Sequence, residues 1–133
     1  MFTDVLTVLY VADLERSLRL YRDAFGMTET YRFPRTGAAE HIEVRLGSTT
    51  LGLSAPAGLT THGLPPLVRG DGQPFELAFG CDDADACYGR LVAAGCRAVR
   101  PPFDTAAGNR TAYVEDFDGN RISIYSRLKP TSA

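Results

Sequence analysis

Three polar residues near the C-terminus are spaced so that their side chains share one face of a predicted strand. Arg121, Ser123 and Tyr125 alternate with Ile122 and Ile124, and alternation with a period of two is typical of a half-buried β-strand. Successive side chains of a strand point to opposite faces, so the isoleucines belong to a core and the polar residues to an open face. A guanidinium, a hydroxyl and a phenol on that face can bind and orient a small molecule by hydrogen bonding.

The three cysteines, Cys81, Cys87 and Cys96, are the other side chains that could bind a metal or carry redox chemistry. They are odd in number and lack the paired spacing with histidine that zinc sites show. We therefore predict reduced thiols in or near a core, as is usual in a reducing compartment.

The polar strand belongs to a pattern that occurs twice along the chain. Asp13 and Asp83 are predicted helix N-caps, and Gly26 and Gly95 end the same two helices. One strand-like run precedes each helix and three follow it; the predicted strands span residues 5–11, 27–33, 40–46, 49–54, 74–81, 97–100, 111–115 and 121–126. The offset of about 70 residues is too long for a solenoid unit. The sequence therefore predicts an α+β fold of two βαβββ modules, each with a curved mixed sheet.

The predicted boundaries divide one domain into four parts. Module one spans 1–55, a linker 56–72, module two 73–127 and a tail 128–133. The linker is rich in proline and glycine and has no periodicity, which indicates an irregular chain. It is either a plain connection or a lid over a pocket, because long loops in compact domains are often functional.

The composition and charge of the chain argue against two classes of binding partner, nucleic acids and membranes. A net charge of −2 and a pI near 5.6 argue against a nucleic-acid-binding surface, which is usually basic. The apolar stretch at residues 2–12 is too short to span a bilayer and lacks the basic start of a signal peptide. We expect a cytoplasmic protein with neither a membrane nor a nucleic-acid partner.

Four motifs resemble a known superfamily. Val11-Ala-Asp-Leu-Glu-Arg-Ser-Leu18, followed by Tyr21-Arg-Asp-Ala-Phe-Gly26, resembles the opening of the vicinal oxygen chelate superfamily. That superfamily includes glyoxalase I, extradiol dioxygenases, fosfomycin-resistance enzymes and bleomycin-resistance proteins. Phe75-Glu-Leu-Ala-Phe-Gly-Cys-Asp-Asp83 resembles the start of its second module, and Asp116-Phe-Asp-Gly-Asn120 its Asp-Pro-Asp-Gly-Asn turn. The resemblance implies that the two modules surround a central cavity. With open sheet edges that need cover, it also implies a homodimer.

The resemblance places four metal-ligand positions at Leu6, Gly52, Glu76 and Ser123. Of these only Glu76 is a good ligand for a divalent metal, and a catalytic site normally needs about three protein ligands. We therefore expect no metal and no other cofactor. A displaced metal site formed by His41, Glu43 and Glu76 is the alternative, since His41 and Glu43 alternate with apolar neighbours and share a face.

The same alternation gives the residues expected to line the cavity. They are Leu6, Val8, Tyr10, His41, Glu43, Gly52, Glu76, Tyr113, Ser123 and Tyr125. Tyrosines among charges of both signs suit a partly apolar ligand that is held in one orientation.

Three functions are compatible with these residues. The first is a metal-free protein that resembles the bleomycin-resistance branch and sequesters a small molecule, such as an antibiotic or a related metabolite. The second is a lyase, isomerase or dioxygenase-type enzyme with an altered metal site, in which Glu76 is the candidate general base. The third is a structural or regulatory protein without a ligand, which the aromatic content of the cavity disfavours.

Overall fold

A computed structural model describes residues 1–128, so all but the first residue of the predicted tail 128–133 lies outside the described residues. The chain divides into two compact units, the first spanning Met1–Arg69 and the second beginning at Gly70. Each unit contains one four-stranded mixed sheet and at least one helix. The predicted α+β fold of two βαβββ modules is confirmed.

The first unit builds its sheet from strands β1 to β4 in the order β1-β4-β3-β2. The strands are β1 (Thr7–Tyr10), β2 (Thr28–Phe33), β3 (His41–Leu46) and β4 (Thr49–Ser54). β1 runs parallel to β4, and the other neighbours are antiparallel. Helix α1 (Leu14–Arg19) continues as a π-helical turn over Leu20–Ala24.

Local signals at both ends position helix α1. The side chain of Asp13 accepts a hydrogen bond from the backbone N–H of Arg16 at 3.1 Å, as an N-cap does. Gly26 follows the helix at φ +80°, a conformation that glycine adopts without strain. Leu18 and Tyr21 on the inner face are fully buried. The helix therefore covers the apolar face of the sheet, whose core residues are Ile42, Val44, Leu51 and Leu53.

The second unit repeats this plan with the sheet order β5-β8-β7-β6. Its elements are β5 (Leu77–Gly80), α3 (Ala84–Ala93), β6 (Arg97–Asp104), β7 (Asn109–Glu115) and β8 (Arg121–Arg127). Asp83 caps α3 by accepting from the backbone N–H of Ala86 at 3.1 Å. Ala112, Val114, Ile122 and Ile124 form the buried face. No helix among residues 1–128 is long and apolar enough to cross a membrane.

Several segments differ from the prediction. Strands β1 and β5 are shorter than the predicted 5–11 and 74–81, so Leu6 and Glu76 lie just before their strands. The linker contains a short helix, α2 (Ala57–Thr61), where the lack of periodicity predicted an irregular chain. Strand β6 continues to Asp104, whereas the predicted strand stops before Pro101 and Pro102. Both prolines fit because β6 is the edge strand of its sheet, where a missing N–H breaks no central ladder.

A buried carboxylate holds the turn between β7 and β8. Asp116 is 5% exposed. Its Oδ1 accepts from the backbone N–H groups of Asp118 and Asn120, both at 2.9 Å, and its Oδ2 accepts from the Asn120 side-chain amide at 2.9 Å. Gly119 takes φ +80°, which completes the turn. These contacts fix which residues of the two strands lie opposite each other.

We predict that Asp116→Ala lowers the free energy of unfolding by about 2 kcal/mol, because it leaves two partly buried backbone N–H groups and one side-chain amide without their acceptor. Urea denaturation followed by circular dichroism measures the change. Asp82→Ala is the matched control, since Asp82 is exposed and its loss should cost under ~0.5 kcal/mol. Equal effects of the two substitutions would contradict the role assigned to Asp116.

Candidate functional site

The open face of the first sheet brings together several of the predicted residues. Val8 and Glu43 each pair with Gly52 across the sheet. A Cβ atom built on Gly52 would lie 2.8 Å from the His41 ring, 3.3 Å from Val8 and 3.4 Å from Leu6. The absence of a side chain at position 52 therefore makes room for the imidazole. Tyr10 lies at the end of β1, beside Ser54 on β4.

His41 sits at the centre of a hydrogen-bonded chain. Its Nδ1 lies 2.6 Å from Oγ of Ser54, and its Nε2 lies 2.9 Å from Oε2 of Glu43. A neutral imidazole satisfies both contacts when Nε2–H donates to Glu43 and Nδ1 accepts from the hydroxyl. The Tyr31 ring is tilted against the imidazole at 6.1 Å between centroids. All of these side chains are partly exposed, so the chain is accessible from the open face.

The open face of the second sheet carries Tyr113, Ser123 and Tyr125. Tyr113 and Ser123 are direct partners across β7 and β8. Ser123 is buried, at 6% exposure, whereas Tyr125 is 40% exposed. The Tyr125 ring lies over Gly80, where an added Cβ would come within 3.0 Å of the phenol. Neither Ser123 nor Tyr125 lines the groove that contains Tyr113 and Glu76.

That groove has a volume of about 510 Å³, within the range of about 300–1,000 Å³ that is usual for small-molecule sites. It lies wholly within the second unit. Its walls are Gln73, Pro74, Phe75, Glu76, Val99, Arg100, Tyr113 and Arg121. The sequence identified Glu76 and Tyr113 as site residues and placed Arg121 on the open polar face of its strand.

Glu76 forms an ion pair inside the groove. Its Oε2 lies 3.4 Å from Nε of Arg121, with the two side chains 32% and 49% exposed. Gln73 fixes the backbone next to this pair, because its amide nitrogen donates to the Arg121 carbonyl at 2.9 Å and its amide oxygen accepts from the Arg121 N–H at 2.7 Å. The carboxylate is thus half-exposed and paired, and a guanidinium already occupies its neighbourhood.

An aromatic stack lies next to Arg100 and Tyr113, which both line the groove. The Arg100 guanidinium lies 3.9 Å from the centroid of the Phe103 ring. Phe103 in turn stacks on Tyr113, with 6.4 Å between centroids and 22° between planes. The sequence did not indicate Arg100 or Phe103, which are three residues apart and would face opposite sides of a regular strand.

The positions that the resemblance assigns to metal ligands do not fit a metal ion. Leucine and glycine at 6 and 52 offer no donor atom, and Ser123 is a buried hydroxyl. Within the described residues, neither unit gathers three His, Cys, Asp or Glu side chains that could hold a metal. The alternative metal site that the sequence suggested needs His41, Glu43 and a third ligand. The first unit brings His41 and Glu43 together but adds no third His, Cys, Asp or Glu side chain to them.

All three cysteines are free, as predicted, and Cys96 is buried. Burial raises the pKa of the Cys96 thiol to about 11, with a smaller contribution from the Asp116 carboxylate. Burial and a hydrogen bond with Cys87 raise the pKa of Cys81 to about 11. Since the thiolate is the nucleophile and metal ligand, these two thiols are poor candidates for either role.

Solved structures with the same fold cover most of the chain. A glyoxalase-related enzyme from Fulvimarina pelagi is 25% identical, with a TM-score of 0.77 over 96% of this chain and 89% of that one. A glyoxalase/bleomycin resistance protein/dioxygenase family enzyme from Burkholderia phytofirmans is 20% identical, with a TM-score of 0.80 over 92% and 97%. A lactoylglutathione lyase from Agrobacterium tumefaciens is 21% identical, with a TM-score of 0.67 over 93% and 92%.

At these identities the structures establish the shared fold and leave the activity to be argued from the residues. The search of curated proteins finds no match to the sequence. The sequence pattern that defines the Glyoxalase/Bleomycin resistance protein/Dioxygenase superfamily matches residues 5–124. This match covers both modules, so the chain belongs to the Glyoxalase/Bleomycin resistance protein/Dioxygenase superfamily.

Proposed function

We propose that the protein binds a small molecule without the help of a metal ion. The observation that carries this proposal is the ion pair between Glu76 and Arg121 at 3.4 Å. Glu76 is the one good ligand at the four positions implied by the family resemblance, and a guanidinium already compensates its charge. A groove with apolar walls and a few oriented polar groups is the usual form of a small-molecule site.

The proposed biological role is sequestration of an antibiotic or a related metabolite. Its support is the superfamily, whose description includes bleomycin resistance proteins, together with the groove of the second unit. Of the ligand-binding residues predicted from the sequence, Glu76 and Tyr113 line this groove, and we propose that the ligand contacts them. Three free cysteines suit a reducing compartment, and we place the protein in the cytoplasm for that reason.

A second candidate function is acid–base catalysis by an enzyme of the same superfamily. It rests on the chain from Ser54 through His41 to Glu43, in which a hydroxyl is hydrogen-bonded to a base and the base to a carboxylate. This arrangement can accept a proton from a bound substrate. In this second function His41 replaces Glu76 as the favoured general base, because Glu76 is engaged by Arg121.

The first prediction concerns metal content. The purified protein should contain well under one divalent ion per chain after incubation with excess zinc and desalting, because about three ligands are needed to hold one. Elemental analysis of the parent and of Glu76→Gln measures this. About one zinc, iron, nickel or manganese per parent chain, lost in the variant, would overturn metal-independent binding.

The second prediction separates binding from catalysis. Mixed with methylglyoxal and glutathione, the protein should form no S-lactoylglutathione above the uncatalysed rate, monitored by the thioester absorbance. A measurable rate that falls at least ~100-fold in His41→Asn would favour the acid–base enzyme, since general-base catalysis contributes about 10²–10⁴-fold. His62→Asn is the matched control, because His62 is exposed and lies on the linker, outside the open face of the first sheet.

The third prediction is a homodimer. Edge strand β2 exposes 49% of Tyr31 and 54% of Phe33, and an edge with unpaired backbone groups and exposed apolar side chains favours association. Light scattering at micromolar concentration should give the mass of two chains. Tyr31→Lys and Phe33→Lys should weaken the dimer if β2 contributes to it, and a monomeric parent protein would refute the prediction.

A further inference from the structure

We infer that the groove of the second unit selects a flat, aromatic ligand that carries a single carboxylate. The inference rests on the proposed function, because it names the class of ligand that the groove binds. Its basis is the contact between an aromatic stack and a guanidinium that has no carboxylate partner among residues 1–128.

The charge of the groove is positive although the chain carries a net charge of −2. Its ionisable side chains of fixed charge are Arg100, Arg121 and Glu76. Glu76 pairs with Arg121, which leaves the charge of Arg100 uncompensated. One negative charge on a ligand would neutralise the net positive charge of the groove, whereas two would make the occupied groove negative.

Arg100 differs from three other arginines of the same sheet. Arg97, Arg110 and Arg121 each lie within 3.4 Å of a carboxylate oxygen. Among the described residues, Arg100 forms no such ion pair, and its guanidinium carbon lies 3.9 Å from the centroid of the Phe103 ring. An arginine that lines the groove and has no ion-pair partner among the described residues is the residue best placed to bind an anionic ligand.

The stack also restricts the orientation of Arg100. A guanidinium whose carbon lies 3.9 Å from the ring centroid is covered by the ring on one side, so a ligand reaches its N–H groups from the other sides. This planar set of donors matches the two oxygens of a carboxylate and forms two parallel hydrogen bonds with it. Because the side chain is already held by Phe103, less conformational entropy is lost when the ligand binds.

The apolar side chains that line the groove indicate an aromatic part of the ligand. Phe75 is 67% exposed and Val99 is 42% exposed, although both line a concave surface. A flat ring that lies between these apolar side chains and Tyr113 would bury them and would stack on the tyrosine ring. The neutral amide of Gln73 is occupied by the Arg121 backbone, so charge recognition falls to Arg100.

Two probes of the same shape test the inference. 2-Naphthoate carries the carboxylate and 2-naphthamide is its neutral counterpart. We expect NMR titration of the full chain to show chemical-shift changes at Val99 and Tyr113 with both. The carboxylate should bind at least ~10-fold more tightly, as expected for a charge-assisted pair of hydrogen bonds. Raising the salt concentration should reduce that preference.

Arg100→Met keeps the apolar stem and removes the charge, so it should abolish the preference for naphthoate while naphthamide binds as before. Arg97→Met is the matched control, since Arg97 lies on the same strand, is paired with Glu115 and does not line the groove. Unchanged circular dichroism spectra and melting temperatures establish that both variants fold.

The outcomes separate the two proposals. Equal binding of the two probes, or an undiminished preference in Arg100→Met, overturns the anionic ligand class and leaves small-molecule binding in place. Absence of any shift change at Val99 and Tyr113 with either probe overturns the groove as a binding site, and the inference falls with it.

Discussion

The register between β7 and β8 is the constraint on which the second unit depends. Side chains of a strand alternate between faces, so a slip of one residue would move Ile122 and Ile124 from the core to the open face. A slip of β7 would instead bury Tyr113, which lines the groove and stacks on Phe103. Asp116 prevents it by holding the backbone of Asp118 and Asn120 with a buried carboxylate. A contact at the turn thereby determines both which residues form the core and which ones face a ligand.

In the first unit, a histidine ring fills the space beside the backbone of a glycine. Gly52 stands where the family resemblance implies a metal ligand, and the space beside its backbone is filled by the His41 ring. That ring is held from both sides by Ser54 and Glu43. The polar groups of this face therefore centre on a histidine of β3, which is held by one residue of β3 and one of β4.

Regular alternation made most of the fold predictable. The faces assigned to Ile122, Ser123 and Tyr125 agree with the strand pairing, because β8 has no irregularity. Arg100 and Phe103 could not be placed in this way. They pair with Tyr113 and Thr111, so three steps along β6 match two along β7. The extra residue is a β-bulge, which changes the parity of every side chain beyond it. Ser54, by contrast, follows Gly52 by two residues and was within reach of the same reasoning.

An arginine and a divalent metal ion differ in what they do to a bound ligand. A divalent cation polarises a bound oxygen and exchanges its ligands during a reaction. A guanidinium holds an oxyanion through fixed N–H donors and remains protonated, so it fixes the position of a ligand without activating it. With Arg121 paired to Glu76 and Arg100 supported by Phe103, both guanidiniums are positioned by neighbours before any ligand arrives. Such preorganisation favours binding of a ligand ground state, which is the behaviour expected of a sequestering protein.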